Sequence, residues 1–153
     1  MPVSLQFIDN LVHVHLAPEQ TNGRFGLVEM LGRADDAPPL HLHRRDDEGF
    51  HVVAGEVTLW IGDADPVVLT AGRSAVAPRG VPHTYRVTGG APARWFVTAT
   101  PGDFISLALA YGTPTDATEL WAQPTAPPDA ELLGRLADEH DIEILGPPGA
   151  LPT

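Results

Sequence analysis

Two short stretches carry most of the residues that could do chemistry. The first is His41-Leu42-His43-Arg44-Arg45-Asp46-Asp47-Glu48, and the second is Pro78-Arg79-Gly80-Val81-Pro82-His83. Two histidines one residue apart point the same way only on an extended backbone, because successive strand side chains alternate between faces. On a helix the same spacing would throw them apart. Neutral imidazoles, a carboxylate from the acidic run and a third histidine on a distant strand make a donor set of borderline softness, suited to a divalent transition metal.

Short strands must position these residues. Residues 3–16 alternate loosely and end in the strand-like run Leu11-Val12-His13-Val14-His15-Leu16. Thr21-Asn22-Gly23 then turns the chain into a second strand over 24–31. The loop Asp35-Asp36-Ala37-Pro38-Pro39 leads into the first ligand strand, 40–43, and the charges at 44–47 mark a break before a strand over 48–54. Further strands are expected over 57–61, 67–69, 74–77, 83–87 and 94–99, bounded by Gly or Pro at the spacing of a sandwich or barrel. After Pro101 the texture changes. Asp103 reads as the N-cap of a short helix over 104–111 that Gly112 ends. Residues 113–128 read as irregular chain, and Pro127-Pro128-Asp129 opens a helix over 129–140 with Leu132, Leu133 and Leu136 as its apolar stripe. Residues 146–153 are expected to fray. The organisation expected is a barrel over 1–112 and a tail over 113–153, whose Pro-rich segment and helix pack on the barrel. The ligand set occurs once, so one metal per chain is expected.

Composition excludes several kinds of chemistry. The 153 residues suit one domain with its own core, and 15 glycines with 16 prolines suit short strands joined by tight turns. There is no cysteine, which removes disulfides, zinc–thiolate sites, iron–sulfur clusters and thiol nucleophiles together. All nine basic residues are arginine, so chemistry that needs a lysine Schiff base is absent. A formal charge of −11 argues against a nucleic-acid partner or an anionic membrane. The first nine residues lack the basic start and apolar core of a signal peptide, and the apolar run 104–111 is too short to span a bilayer. The expectation is a soluble cytoplasmic protein.

Together the two stretches resemble the paired motifs of the cupin superfamily, and within it the single-domain bacterial quercetinase-like (quercetin 2,3-dioxygenase-like) proteins. The first motif is His-x-His, three or four residues, Glu, six residues, Gly; His41, His43, Glu48 and Gly55 meet it. The second is Gly, five residues, Pro-x-Gly, two residues, His, and Gly72, Pro78, Gly80 and His83 meet that. Two positions depart: Asp35 stands where the family has a glycine, and Val87 where it has an asparagine. The likeness covers roughly residues 25–112. It implies an all-β fold, a single cupin jelly-roll β-barrel (double-stranded β-helix) with a short C-terminal helical tail. It selects Glu48 over Asp46 and Asp47, giving His41, His43, Glu48 and His83 as ligands of one divalent transition metal per chain (Ni, Co, Mn, Fe, Cu or Zn). Four protein ligands leave two open positions on a six-coordinate ion. The facial triad of 2-oxoglutarate oxygenases does not fit, because it wants a carboxylate where His43 stands.

The resemblance further implies a dioxygenase that takes O2 and a flavonol-like or other aromatic hydroxyketone, with Glu48 as both ligand and proton acceptor. The alternatives are a zinc-type cupin with cyclase, isomerase or lyase activity, or a metal-binding cupin without turnover. A homodimer is the family expectation. Alternation puts Phe50 and Val52 on the face of Glu48, Tyr85 on that of His83, and Leu59 inward on the next strand; on 94–99 the inward aromatic is Phe96 or its neighbour Trp95. The expected pocket wall is therefore Phe50, Val52, Leu59, Tyr85 and Phe96, apolar and aromatic around one polar centre. His51 falls on the opposite face from Glu48. His13 and His15 lack a carboxylate and a distant partner, and His140 ends a polar helix. All four histidines are expected outside the ligand set.

Overall fold

Alternating burial sorts the strands into two sheets that face each other across one core. The computed structural model describes residues 3–153. In chain order the strands are β1 (Val3–Phe7), β2 (Asn10–Leu16), β3 (Gly26–Gly32), β4 (Pro39–His43), β5 (Asp47–Ala54), β6 (Glu56–Ile61), β7 (Val67–Thr70), β8 (Ser74–Ala77), β9 (His83–Thr88) and β10 (Ala93–Thr100). Helix α1 (Asp103–Tyr111), the two-residue β11 (Thr113–Pro114), helix α2 (Ala130–Glu139) and β12 (Ile142–Pro148) follow. One sheet has the order β11-β1-β2-β3-β10-β5-β8 and the other β12-β4-β9-β6-β7, with antiparallel pairing throughout. This is the all-β jelly roll that the resemblance implies, with two helices close to the ranges the sequence suggests.

The core follows from the period of two. Along β3 every second residue is buried, and along β10 Ala93, Trp95, Val97 and Ala99 turn inward while Arg94, Thr98 and Thr100 face out. Val12, Val28, Val52, Val57, Leu59, Val87 and Trp95 are fully buried, each aliphatic one contributing roughly 1.5–3 kcal/mol. Gly55 closes the β5–β6 turn at a φ of +78°, and a Cβ there would stand 2.6 Å from the Pro92 carbonyl oxygen. Only glycine has room at that position. Asp35, standing where the family has glycine, adopts the same left-handed region with a φ of +67°. Aspartate tolerates that conformation better than most residues. The two departing positions also meet: the Asp35 N–H donates to the Val87 carbonyl at 2.9 Å, and the Val87 N–H to the Asp36 carbonyl at 2.9 Å.

Helix α1 does not start as its own sequence suggests. Asp103 is not the N-cap; Gly102 holds that position, and the Asp46 carboxylate accepts from the N–H groups of Gly102 (2.7 Å), Asp103 (3.0 Å) and Phe104 (2.8 Å). A helix start leaves such donors without partners, and here a fully buried carboxylate from the break after β4 satisfies three of them. Asp103 is left free to pair with Arg45 at 2.7 and 2.9 Å.

The tail is more ordered than expected. Asp9 holds the Pro-rich segment by accepting from Trp121 Nε1, Thr125 N and Thr125 Oγ1. Asp129 caps α2 by accepting from Leu132 N at 3.0 Å. Residues 146–148, expected to fray, instead end β12, which pairs with β4 in the registers Ile142↔His43 and Ile144↔His41. An apolar strand with a free sheet edge beside it gains backbone hydrogen bonds by joining it.

Asp46→Ala should lower the free energy of unfolding by roughly 3 kcal/mol, since three buried N–H groups lose a charged acceptor. A urea midpoint implying a loss of under about 0.5 kcal/mol, the size of an ordinary surface change, would contradict this.

Candidate metal centre

The break at 44–46 is where the chain crosses from one sheet to the other, and this brings the donors together. His41 and His43 lie on β4 and His83 on its neighbour β9, paired as His41↔His83, while Glu48 comes from β5 in the facing sheet. One donor atom from each of the four residues lies within 4.8 Å of all the others. For comparison, two ligands on opposite sides of a metal with bonds of about 2.1 Å stand about 4.2 Å apart. The His41 and His83 rings are 4.5 Å apart between centroids, and those of His43 and His83 stack at 5.2 Å with 12° between planes. His43, His83 and Glu48 are buried; His41 keeps some open surface, on the cavity side.

Hydrogen bonds at the back of two rings fix their tautomers. His41 Nδ1 donates to the Pro39 carbonyl at 2.7 Å, and His83 Nδ1 to the Val81 carbonyl at 3.1 Å. A carbonyl only accepts, so Nδ1 carries the proton and Nε2 is left as a lone pair for the centre. His83 Nε2 then faces Glu48 Oε2 at 3.2 Å, acceptor against acceptor. His43 Nε2 is 3.3 Å from the same oxygen but has no hydrogen-bond partner among the described residues, and neither has its Nδ1, 3.8 Å from Asp46 Oδ2. Such an arrangement needs a positive charge in its middle, from a proton or a metal ion. The donor set and the unpartnered nitrogen both fit a divalent ion.

The electrostatics agree. Burial, and then the neighbouring His83 and His43, push His41 down to about 3, so it stays neutral and ready to ligate. Burial also works against charge on His43, but Glu48 opposite, helped by Asp46 and Asp103, outweighs it and leaves His43 raised. For Glu48, burial alone would favour the neutral acid; His43 and His83 override it and hold the carboxyl well below the usual range. The two shifts are coupled: the carboxylate favours charge on the imidazole, and the imidazoles favour charge on the carboxylate.

The centre opens into a cavity of about 70 Å³, on a scale where one water takes roughly 10–15 Å³. Of the expected wall, Phe50 and Tyr85 line it. Val52 and Leu59 do not; both are fully buried in the packed core beyond its reach. Phe96 does not line it either, because alternation on β10 turns it outward against the His15 ring at 5.7 Å and gives the inward place to Trp95. The sequence reading misses Met30, Phe104 of α1, and Leu133, Ala137 and Ile142 of the tail, all of which complete the wall. Only the fold brings these together, and no local pattern marks them. The remaining histidines stay outside the cluster: His13 bonds Ser4 Oγ, His15 contacts Glu29, His51 bonds Ser74 Oγ, and His140 Nδ1 bonds the Leu136 carbonyl.

Comparison with known proteins agrees with the motifs. Residues 26–99 match the cupin domain family. Quercetin 2,3-dioxygenase of Bacillus subtilis (strain 168) is 36% identical over 77 residues, which is 47% of this chain and 23% of that enzyme. The chain therefore spans less than a quarter of that relative's length. Among solved structures, TT1209 from Thermus thermophilus superposes with a TM-score of 0.50 at 26% identity, over 58% of this chain and 84% of the other. An uncharacterized conserved protein with a double-stranded β-helix domain from Klebsiella pneumoniae does so with a TM-score of 0.53 at 19% identity, over 71% and 86%, a likeness of fold alone. The chain carries a cupin domain, and that domain is quercetinase-like.

Two outcomes are expected. Metal loading should release protons and weaken as pH falls, because Glu48 opposite makes His43 hold a proton more tightly than a free imidazole does and the metal must displace it. Calorimetry in buffers of different ionisation enthalpy reads this directly, and an affinity unchanged between about pH 5.5 and 8 would contradict it. Secondly, His41→Ala or His83→Ala should reduce bound metal at least about tenfold while His13→Ala leaves it unchanged. Equal losses in all three would mean the ligands are misassigned.

Proposed function

We propose that this cupin is a metal-dependent dioxygenase acting on an aromatic hydroxyketone, with His41, His43, Glu48 and His83 holding the metal. One observation carries the reading: a carboxylate and three imidazoles converge at one side of a cavity whose remaining wall is mostly apolar and aromatic, including Phe50, Tyr85, Trp95 and Phe104. Such a pocket favours a flat ring with one polar edge. The similarity to a quercetin 2,3-dioxygenase supports the same class of substrate. The cavity, about 70 Å³, has room for roughly five waters on the scale above. That suits a small ring placed against the metal centre.

When bound, a divalent transition ion supplies Lewis acidity toward the two oxygens of a hydroxyketone and, if redox-active, a means of passing electrons to dioxygen. The protein's own groups do the rest. His41, kept neutral, and His83, fixed by its Nδ1–H bond, hold their lone pairs in place without a change of tautomer. Glu48 receives the proton that leaves the substrate hydroxyl. It is a weak base while both imidazoles face it, so proton acceptance requires its oxygen to loosen from them. In the overall reaction the enol double bond between the hydroxyl-bearing carbon and its ring neighbour breaks, one atom of O2 becomes a carbonyl oxygen on each of those two carbons, the proton held by Glu48 returns to the carboxyl group so formed, and no external reductant is consumed. No helix among the described residues is long and apolar enough to cross a membrane.

The test is oxygen uptake by protein purified without an affinity tag and loaded separately with Ni, Co, Mn, Fe, Cu or Zn, using a 3-hydroxy-4-pyranone and 3-hydroxyflavone. One O2 should be consumed per substrate with at least one redox-active metal, and Glu48→Gln should slow the reaction by about 10²-fold or more. Substrate loss with zinc and without oxygen uptake would replace the dioxygenase by a non-oxidative enzyme. No turnover with any metal would remove the enzymatic reading.

A further inference from the structure

Away from the metal centre, the cavity wall holds a second group of polar atoms that the chemistry above does not use. Asn10 is its hub. Its Nδ2 donates to Asp36 Oδ2 at 2.7 Å and more weakly to the Leu31 carbonyl at 3.4 Å, and its Oδ1 accepts from the Tyr85 hydroxyl at 3.3 Å. Asn10, Asp36, Tyr85 and Trp95 all line the cavity. Tyr85 packs edge-on against Trp95 with ring centroids 5.2 Å apart. The Trp95 indole is fully buried, and its Nε1–H has no hydrogen-bond partner among the described residues. Space for the cluster depends on Gly32: a Cβ there would stand 3.0 Å from the Trp95 ring and 3.1 Å from Asn10 Nδ2.

The free valences of this cluster are specific. Tyr85 spends its only proton on Asn10, so its oxygen offers lone pairs and nothing else. Asp36 offers a carboxyl oxygen. Trp95 offers a donor and nothing else. A carbonyl would satisfy the indole and leave the acceptors bare; an ammonium would do the reverse. A hydroxyl group satisfies both, since it accepts through oxygen and donates through hydrogen. A native interior seldom leaves a buried N–H without a partner unless water or a ligand completes it.

We infer that Trp95, Tyr85 and the Asn10–Asp36 pair form a subsite for a hydroxyl group carried by the substrate, remote from the edge that meets the metal centre. The inference rests on the reading of that centre as the place where a hydroxyketone binds, and it narrows the substrate class to small cyclic hydroxyketones bearing a further hydroxyl. Tyr85 follows His83 by two residues on the same face of β9, about 7 Å along the strand. One small ring can therefore address both ends.

Two probes separate the subsite from the metal centre. Kojic acid and allomaltol are single-ring hydroxyketones with the same chelating edge, differing only by the hydroxyl on the opposite substituent. Titrated into the zinc-loaded full chain and followed by calorimetry, kojic acid should bind about tenfold more tightly, the effect of one hydrogen bond to a buried partner. The ratio should fall to near one in both Tyr85→Phe and Trp95→Phe, with thermal melts confirming that each variant is folded. Equal binding of the two probes by the unmodified protein, or a preference that survives in both folded variants, overturns the subsite and leaves the metal-centre reading standing. Failure of both probes to bind the zinc-loaded protein overturns the two together.

Discussion

A carboxylate taken out of water must meet positive charge nearby, and in this fold that requirement falls on Glu48. Its side chain is buried between two histidines whose ring nitrogens lie 3.2 and 3.3 Å from one oxygen. A lone buried carboxylate would be strongly destabilising, and a buried pair is tolerated only when its geometry is good and its remaining valences are filled. Here burial holds His41 down, Glu48 raises His43 against its burial, and the two imidazoles hold the carboxyl well down. The four side chains are therefore costly as a structural device and well suited to holding an ion.

That convergence depends on the few residues between β4 and β5. His43 ends one sheet and Glu48 lies near the start of a strand in the other, so the crossing between them sets the distance across the centre. Asp46 fixes the crossing by capping α1, while Arg44 and Arg45 reach outward to Asp138, Asp103 and Asp141. Each of those exposed ion pairs contributes little alone. Their joint effect is directional: they tie the crossing to α1 and to the tail that walls the cavity. The same residues thus link the start of one helix, the seat of the C-terminal strand and the spacing of the donors.

Much of this was legible in the sequence, for identifiable reasons. The His-x-His pair forces an extended backbone, and turn residues mark strand ends, so the strands and the His41–His43 pair could be read from local pattern, while His83 was placed by the family's second motif. Choosing Glu48 from three adjacent acids needed the family spacing. Asp46 looked like a solvated turn residue because its partners lie more than fifty residues on, in backbone N–H groups that carry no sequence signal. The choice between Trp95 and Phe96 turned on one step of strand register, to which two adjacent aromatics are blind. The tail was underread for a similar reason. Whether residues 146–148 fray or pair depends on a free edge beside β4, a property of the assembled sheet.

X-ray absorption at the metal edge tests the central claim most directly, using untagged protein loaded with one equivalent of cobalt. The account expects a first shell of nitrogen and oxygen at about 2.0–2.2 Å, with outer-shell scattering that fits three imidazoles and falls to two in His83→Ala. A spectrum with no imidazole scattering, or one unchanged by that substitution, would mean that the ion is held elsewhere and that Glu48 and the three histidines do not form a metal centre.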